Sequence, residues 1–273
     1  MFPRLLVLLA ALFLLPSVQA QESDPVALEL FDAALAKVKA QAAPLRKWQY
    51  HQTLTTRQFD SEGRVTARGT WKSIFRTDEK DPIEYLSEDL EGKLTFFHKE
   101  PEKPARPGKA TPTPAPTKTD VNDDSQSNNR LESLAVAVEK YSLRDRYVWT
   151  CLPDDKAAGE KAAMIAFHPK PGLPVKTREQ RFFAQLAGKI WISREDFTVL
   201  KSEGGLLEPY RLFWIIARIT RLQFEYEVEA NPANRLLRKS KASAETVVAF
   251  PFKNVHQKHS LEVEKFEPRT PRK

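Results

Sequence analysis

Histidines are the side chains of this sequence most able to bind a metal or move a proton near neutral pH. His256 and His259 are three residues apart, a spacing that can hold a metal when both lie on one helix. Here the pair precedes a strand pattern, with no carboxylate and histidine grouping nearby. We interpret the pair as a polar turn and predict no metal and no cofactor. The other histidines are scattered as His51, His98 and His168.

Cysteine and paired carboxylates are the other groups that could do chemistry. Cys151 is the only cysteine, so an intramolecular disulfide is excluded, and its apolar neighbourhood favours a small buried side chain over a nucleophile. The acidic pairs Glu88-Asp89 and Glu195-Asp196 lie in predicted turns, where charged residues are expected because turns are wet. The common serine-elbow, phosphate-loop, zinc-protease and paired-cysteine motifs are missing from the sequence. We therefore predict no catalytic residues and a protein that is not an enzyme.

The first residues have the parts of a secretory signal peptide. Arg4 supplies the positive charge, residues 5–15 form a short apolar core, and Val18-Gln19-Ala20 offers small residues for cleavage. The core is interrupted by Pro16 and is shorter than the roughly 20 residues of a membrane span. We predict a signal peptide over residues 1–20, cleaved after Ala20. No cysteine follows for lipidation, so we expect an exported, soluble protein and not a lipoprotein.

Charge and length restrict the class of protein further. The 273 residues carry a net charge of +7, with basic residues spread over 218–241 and in a basic tail, 269–273. This distribution of basic residues is typical of strand faces exposed to water. The alternative interpretation is that they attract anionic lipid headgroups. No concentrated basic and aromatic patch indicates nucleic acid as a partner. Residues 21–268 are long enough for one large β domain, which we predict to be a monomer.

Residue periodicity predicts two main helices and many strands. Apolar residues recur at steps of three and four over 24–39, with Asp24 as N-cap and Pro25 at the first helical position. A second amphipathic helix is predicted to follow an Asn129 cap, a short helix falls within 176–186, and residues 206–219 read as a loop or short helix. About eleven strands are predicted from two-residue alternation: 48–56, 64–76, 83–86, 93–97, 147–152, 162–167, 188–193, 197–203, 222–228, 236–250 and 259–266.

A proline-rich stretch interrupts these elements. Six prolines fall between Pro101 and Pro116, and the residues up to 129 offer few apolar side chains to bury. Such a segment cannot offset the entropy lost on ordering, so residues 101–129 are predicted to be disordered. Strand patterns on both sides favour an insertion within one domain over a boundary between two.

Together the elements predict an α+β fold. We expect a strongly curved antiparallel sheet, an incomplete β-barrel of about eleven strands, with amphipathic helices covering its concave face. Such a sheet can enclose an unfilled apolar interior that accepts acyl chains, although an ordinary core explains each apolar side chain taken alone. The predicted cavity-lining residues are Trp48, Tyr50, Trp71, Phe75, Ile190, Ile192, Leu222, Phe224 and Tyr226.

Residues 188–204, GKIWISREDFTVLKSEG, are predicted to form a β-hairpin. Ile190 and Ile192 lie on one face and Trp191 on the other. This hairpin resembles the outer-membrane lipoprotein-sorting family, the LolA/LolB-like superfamily of periplasmic carriers. Looser matches include the N-terminal helix, the mid-chain helix and the strand end IAFHP at residues 165–169.

The resemblance implies a half-open barrel under a helical lid and a non-enzymatic periplasmic carrier. Such a protein binds lipid acyl chains or a lipoprotein in an apolar cavity, with an envelope protein as a further candidate partner. The chain departs from the family in its proline-rich insertion and in the polar strand at residues 235–245, and none of its arginines is matched to the family's gating arginine. Two alternatives stay open: an envelope-stress sensor or protein-interaction module on the same fold, and a hydrolase that depends on His51 or Glu195.

Overall fold

The computed structural model describes residues 22–45, 48–76, 83–95, 130–213, 217–230 and 237–269. The predicted signal peptide, the Asn129 cap, the proline-rich insertion and all of the basic tail except Arg269 lie outside these ranges. Within them, no helix combines the length and apolar character needed to cross a membrane.

The helices of the described ranges are α1 Pro25–Leu45, α2 Arg130–Lys140, α3 Leu143–Arg146 and α4 Arg178–Phe183. The start of α1 is as predicted, because the Val26 amide donates to Asp24 Oδ1 at 2.9 Å and caps the helix. The helix continues beyond the predicted end at Lys39, since Ala40, Gln41, Ala42 and Ala43 are good helix formers.

Eleven strands are described, which agrees with the predicted number. They are β1 Trp48–Phe59, β2 Val65–Arg76, β3 Ile83–Glu91, β4 Tyr147–Ala157, β5 Glu160–Pro169, β6 Leu186–Ser193, β7 Val199–Leu206, β8 Tyr210–Phe213, β9 Ala217–Ala230, β10 Leu237–Ala249 and β11 Asn254–Pro268.

All strand pairs are antiparallel, in the order β3-β2-β1-β11-β10-β9-β7-β6-β5-β4, with β8 added beside β9. The sheet is open, with β3 at one end of this order and β4 at the other. The predicted α+β class with an unclosed antiparallel sheet is therefore confirmed. Strands β1 to β3 join strands β4 to β11 where β1 pairs with β11. This ladder connects residues about 200 positions apart in the chain, such as Thr56 and His259.

Helices α1 and α2 pack against one face of the sheet near the β4 end. Phe31 and Ala34 of α1 share a buried cluster with Trp149 of β4, Ile165 of β5 and Ile192 of β6. The Phe31 and Trp149 rings lie 4.2 Å apart between centroids. The apolar stripe predicted for α1 thus lies on this end of the sheet.

The structure corrects the prediction around β3. Glu88-Asp89 lies within β3 and not in a turn, because β2 continues to pair with the strand as far as Glu91. Trp71 Nε1 donates to Glu88 at 2.8 Å across this pair. The strand predicted over 93–97 is wrong for residues 93–95, which are irregular, and residues 96–97 lie outside the described ranges.

A second correction concerns residues 206–219, predicted as a loop or short helix. They contain β8 and the start of β9, with Tyr210 opposite Ile219. Both side chains are buried with Val248 of β10. The strand pairing satisfies backbone groups that a loop in this buried position would leave without partners.

Candidate ligand-binding cavity

An apolar cavity of about 290 Å³ lies between α1, α2 and the face of the sheet formed by β4 to β7, β9 and β10. Known ligand pockets begin at about this size, roughly 300 Å³. None of the described residues that line it is charged. The cavity can therefore hold a hydrocarbon ligand, but it offers no ion pair to a charged one.

The helical wall of the cavity comes from the same stripe that anchors α1. Phe31, Ala34, Leu35 and Val38 follow steps of three, one and three residues, which places them on one side of the helix. Val138 of α2 continues this wall. Packing of α1 on the sheet leaves a gap, and both sides of that gap are apolar.

The sheet wall follows from strand register. Ile190 of β6 is paired with Ser202 of β7, and Ser202 is paired with Tyr226 of β9. Ile192 and Phe224 lie on the same face, because alternate residues of a strand share a face. Ser202 is the small lining residue between the larger side chains of Ile190 on β6 and Tyr226 on β9.

Polar atoms in the cavity are few, and one is already bonded within the protein. The Tyr147 hydroxyl donates to the Phe183 carbonyl at 2.7 Å, and burial raises the pKa of Tyr147 well above its ordinary value. Its phenol therefore stays neutral and acts as part of the wall. The remaining polar side chains of the lining are Gln41, Thr198, Ser202 and Tyr226.

Ion pairs hold the helices that cover the cavity. Lys37 of α1 lies 3.0 Å from Asp196, in the turn between β6 and β7. Arg144 of α3 donates two hydrogen bonds to Asp32 of α1, at 2.7 and 2.8 Å. Arg144 lowers the pKa of Asp32 through this bond, so the pair keeps its charges over the neutral range.

The nine residues predicted to line a cavity share one sheet face, but the structure divides them among several sites. Ile190, Ile192, Phe224 and Tyr226 line the cavity described above. Leu222 packs instead against the cluster of Tyr210 and Val248.

The predicted residues of β1 and β2 do not line the cavity, because β11 lies between β1 and β10, the last strand of the sheet wall. Tyr50 and Phe75 stack at 5.0 Å in a separate cluster with Val263. Trp71 is buried on β2, and Trp48 begins β1 opposite Pro268. These four are placed by the structure away from the cavity lining.

Several lining residues were not among the predicted ones. Phe31 and Val38 belong to the apolar stripe of α1, and Trp149 and Phe167 to the alternating pattern of β4 and β5. Their apolar character was visible in the sequence. The order of strands in the sheet, which places β4 and β9 around the same cavity, could not be predicted from the sequence.

The groups that could do chemistry are dispersed. The polar turn predicted for His256 and His259 is wrong, because both lie within β11, which pairs with β10 from Asn254 onward. His259 contacts Thr56 Oγ1 at 3.0 Å, whereas His256 contacts Glu245 at 3.1 Å. No cluster of metal-ligating side chains occurs within the described ranges. Burial raises the pKa of the half-buried Cys151 thiol, which disfavours the reactive thiolate.

The two residues named for a hydrolase do not share a site. His51 lies on β1, and Glu195 lies in the turn after β6. Strands β11, β10, β9 and β7 separate them in the sheet.

No family model matches the chain, and no curated protein matches it in sequence. Among solved structures, it is similar to a DUF1329 family protein from Desulfovibrio piger, with a TM-score of 0.33, 11% identity and coverage of 90% of this chain and 94% of that one. It is also similar to an outer membrane lipoprotein-sorting protein domain from Vibrio parahaemolyticus, with a TM-score of 0.31, 11% identity and coverage of 90% and 93%. MucB follows with a TM-score of 0.22, 9% identity and coverage of 85% and 93%. These likenesses decide neither the family nor the function of the chain.

Proposed function

We propose that this chain is a non-enzymatic periplasmic protein that binds lipid or lipoprotein and shields an acyl chain in its apolar cavity. The observation that carries the proposal is the uncharged cavity of about 290 Å³ between the helices and the sheet. Ile190, Ile192, Phe224 and Tyr226 form its sheet wall, and Phe31 and Val38 form its helical wall.

In this proposal, α1 and α2 are the lid over the concave face. Lys37 fixes α1 to the β6–β7 turn, and Arg144 fixes it to α3, so both attachments lie at the rim and not in the lining. An acyl chain could then exchange by movement of α1 without disturbing the strands that form the floor.

The cavity sets the scale of the affinity. Burial of a methylene contributes about 0.8 kcal/mol, so about eight buried methylenes would supply about 6 kcal/mol. That free energy corresponds to a dissociation constant of tens of micromolar. Headgroup contacts outside the cavity would add to it.

The test is lipid extraction and native mass spectrometry of the purified mature protein, followed by titration with a fluorescent fatty acid. The variant Ser202→Phe places a ring in the cavity between Ile190 and Tyr226, and it should weaken binding at least tenfold. Thr150→Phe adds the same side chain at an exposed position of β4 and should bind normally.

The proposal fails if the folded protein neither carries nor takes up an acyl chain. It also fails if Ser202→Phe and Thr150→Phe bind the probe equally well. Circular dichroism of both variants distinguishes lost binding from lost folding.

A further inference from the structure

A polar groove of about 430 Å³ lies on the face of the sheet opposite the apolar cavity. Short hydroxyl side chains line it: Thr53 and Thr55 of β1, Ser243 of β10 and Ser260 of β11. Strand register places Thr55 opposite Ser260, and Ser260 opposite Ser243. These three form a continuous row of hydroxyls across neighbouring strands, about 5 Å from one strand to the next.

Basic side chains form the next row on the same face. Arg57 of β1 is opposite Lys258 of β11 on one side and Arg68 of β2 on the other. All three are exposed. Glu91 of β3 lies opposite Arg68, and Glu245 of β10 lies opposite Lys258, so each outer cation has a carboxylate across from it. Arg57, in the middle of the row, has a cation on both sides, and like charges directly opposite one another destabilise a sheet.

The carboxylates beside the groove are already engaged by other cations. Glu225 pairs with Lys201 at 2.9 Å, and Glu262 pairs with Lys241 at 3.5 Å. Among the described residues, Arg57 and Lys258 make no ion pair, although both line the groove. The groove therefore presents Arg57, which has no carboxylate directly opposite it, and the exposed ammonium of Lys258 next to a row of hydroxyl donors.

We propose that this groove binds the phosphate group of a phosphoester. The guanidinium of Arg57 can donate two parallel hydrogen bonds to phosphate oxygens, Lys258 adds a second charge, and the hydroxyls of Thr55 and Ser260 can donate to a third oxygen. A bound phosphate relieves the repulsion between the two basic side chains. Glu225 and Glu262 at the margin disfavour a polyanion, so the site is suited to one phosphate with a small polar substituent.

This site is independent of the proposed acyl-chain cavity, which lies on the other face. Two sources fit its chemistry, a soluble phosphoester and a phospholipid headgroup. Calorimetric titration with glycerol 3-phosphate tests the first. Sedimentation with vesicles of phosphatidylglycerol, compared with phosphatidylcholine, tests the second.

The diagnostic variant is the double substitution Arg57→Gln with Lys258→Gln. The matched control is Lys156→Gln with Lys161→Gln, since these exposed lysines are also directly opposite one another, on β4 and β5, away from the groove. Both double variants lower the net charge equally. We expect phosphate-dependent binding to fall at least tenfold in the groove variant and less than twofold in the control.

Binding of glycerol 3-phosphate alone would assign the site to a soluble phosphoester, and binding of phosphatidylglycerol vesicles to a lipid headgroup. Either result supports the proposal when only the groove variant loses binding. Equal loss in both double variants would show unspecific charge attraction and overturn it. Absence of binding to both probes, with the protein folded, would also overturn it.

Discussion

The contact between Lys37 and Asp196 gives the sharpest test of how the cavity opens. It joins α1 to the β6–β7 turn at 3.0 Å, and its side chains are 27% and 16% exposed. Asp196 also accepts hydrogen bonds from the Thr198 amide at 3.2 Å and hydroxyl at 2.8 Å. Replacing Asp196 would therefore disturb the turn as well, so the informative change is Lys37→Met.

The magnitude follows from partial burial. Exposed ion pairs contribute about 0.2–1 kcal/mol, whereas breaking a fully buried pair costs about 3–5 kcal/mol. Both partners are mostly covered but still reached by solvent, so we expect the loss of this ion pair to cost about 1 kcal/mol after allowing for screening. A change of 1 kcal/mol corresponds to about a fivefold change in an equilibrium constant.

The assay is the dissociation rate of a fluorescent fatty acid, measured by stopped-flow displacement. Lys37→Met should raise that rate about fivefold at low salt, and the difference from the parent protein should shrink as salt is added. Lys39→Met is the control, because Lys39 lies on the same helix but pairs with Glu139 of α2, where the side chains are 46% and 61% exposed. Equal rates in the two variants would refute the idea that the Lys37 contact restrains opening.

Three further outcomes follow from packing and protonation. Ile192→Ala, at a fully buried position, should lower the free energy of unfolding by about 2–5 kcal/mol in urea titration, while Val26→Ala, at a position 53% exposed, should change it little. Gly188→Ala should lower the free energy of unfolding by about 1–3 kcal/mol, because an added Cβ would meet the Glu203 carbonyl and the Phe167 ring. Unchanged stability would contradict that close packing. Burial lowers the pKa of His259 below 6.5, so the unfolded chain binds the proton more readily. Stability should therefore fall as the pH drops below about 6.5, and His259→Gln should flatten that dependence in denaturant titrations at pH 7.5 and 5.5.

Local patterns predicted the faces of strands well. Alternation in the 188–204 hairpin placed Ile190 and Ile192 on one side, and both line the cavity. Trp191 lies on the other side, where it is buried with Leu200. These results depend on side-chain direction within one strand, which the two-residue period determines.

Position along the sheet could not be predicted in the same way. Tyr50 and Phe75 share a face with Phe224, yet they form a separate cluster. Their distance from the cavity is set by the pairing of β1 with β11, between residues far apart in the chain. No local pattern specifies such a pairing, because several strands of similar length and alternation could compete for the same edge.

The ladder between β1 and β11 has a consequence for how the chain reaches its folded state. β1 to β3 form one antiparallel unit of consecutive strands, and β4 to β11 form another, in which only β8 lies outside the main strand order. Each unit can therefore form through pairing of strands that are close in sequence. Until residues 254–268 are present, however, β1 has no strand partner on one side, and no strand ladder joins the two units. We expect this contact of high sequence separation to form slowly, and the unpaired edges of β1 and β10 are exposed to aggregation in the meantime. A ribosome-bound or truncated chain ending before β11 would thus be an aggregation-prone intermediate, whereas addition of this one strand completes the sheet.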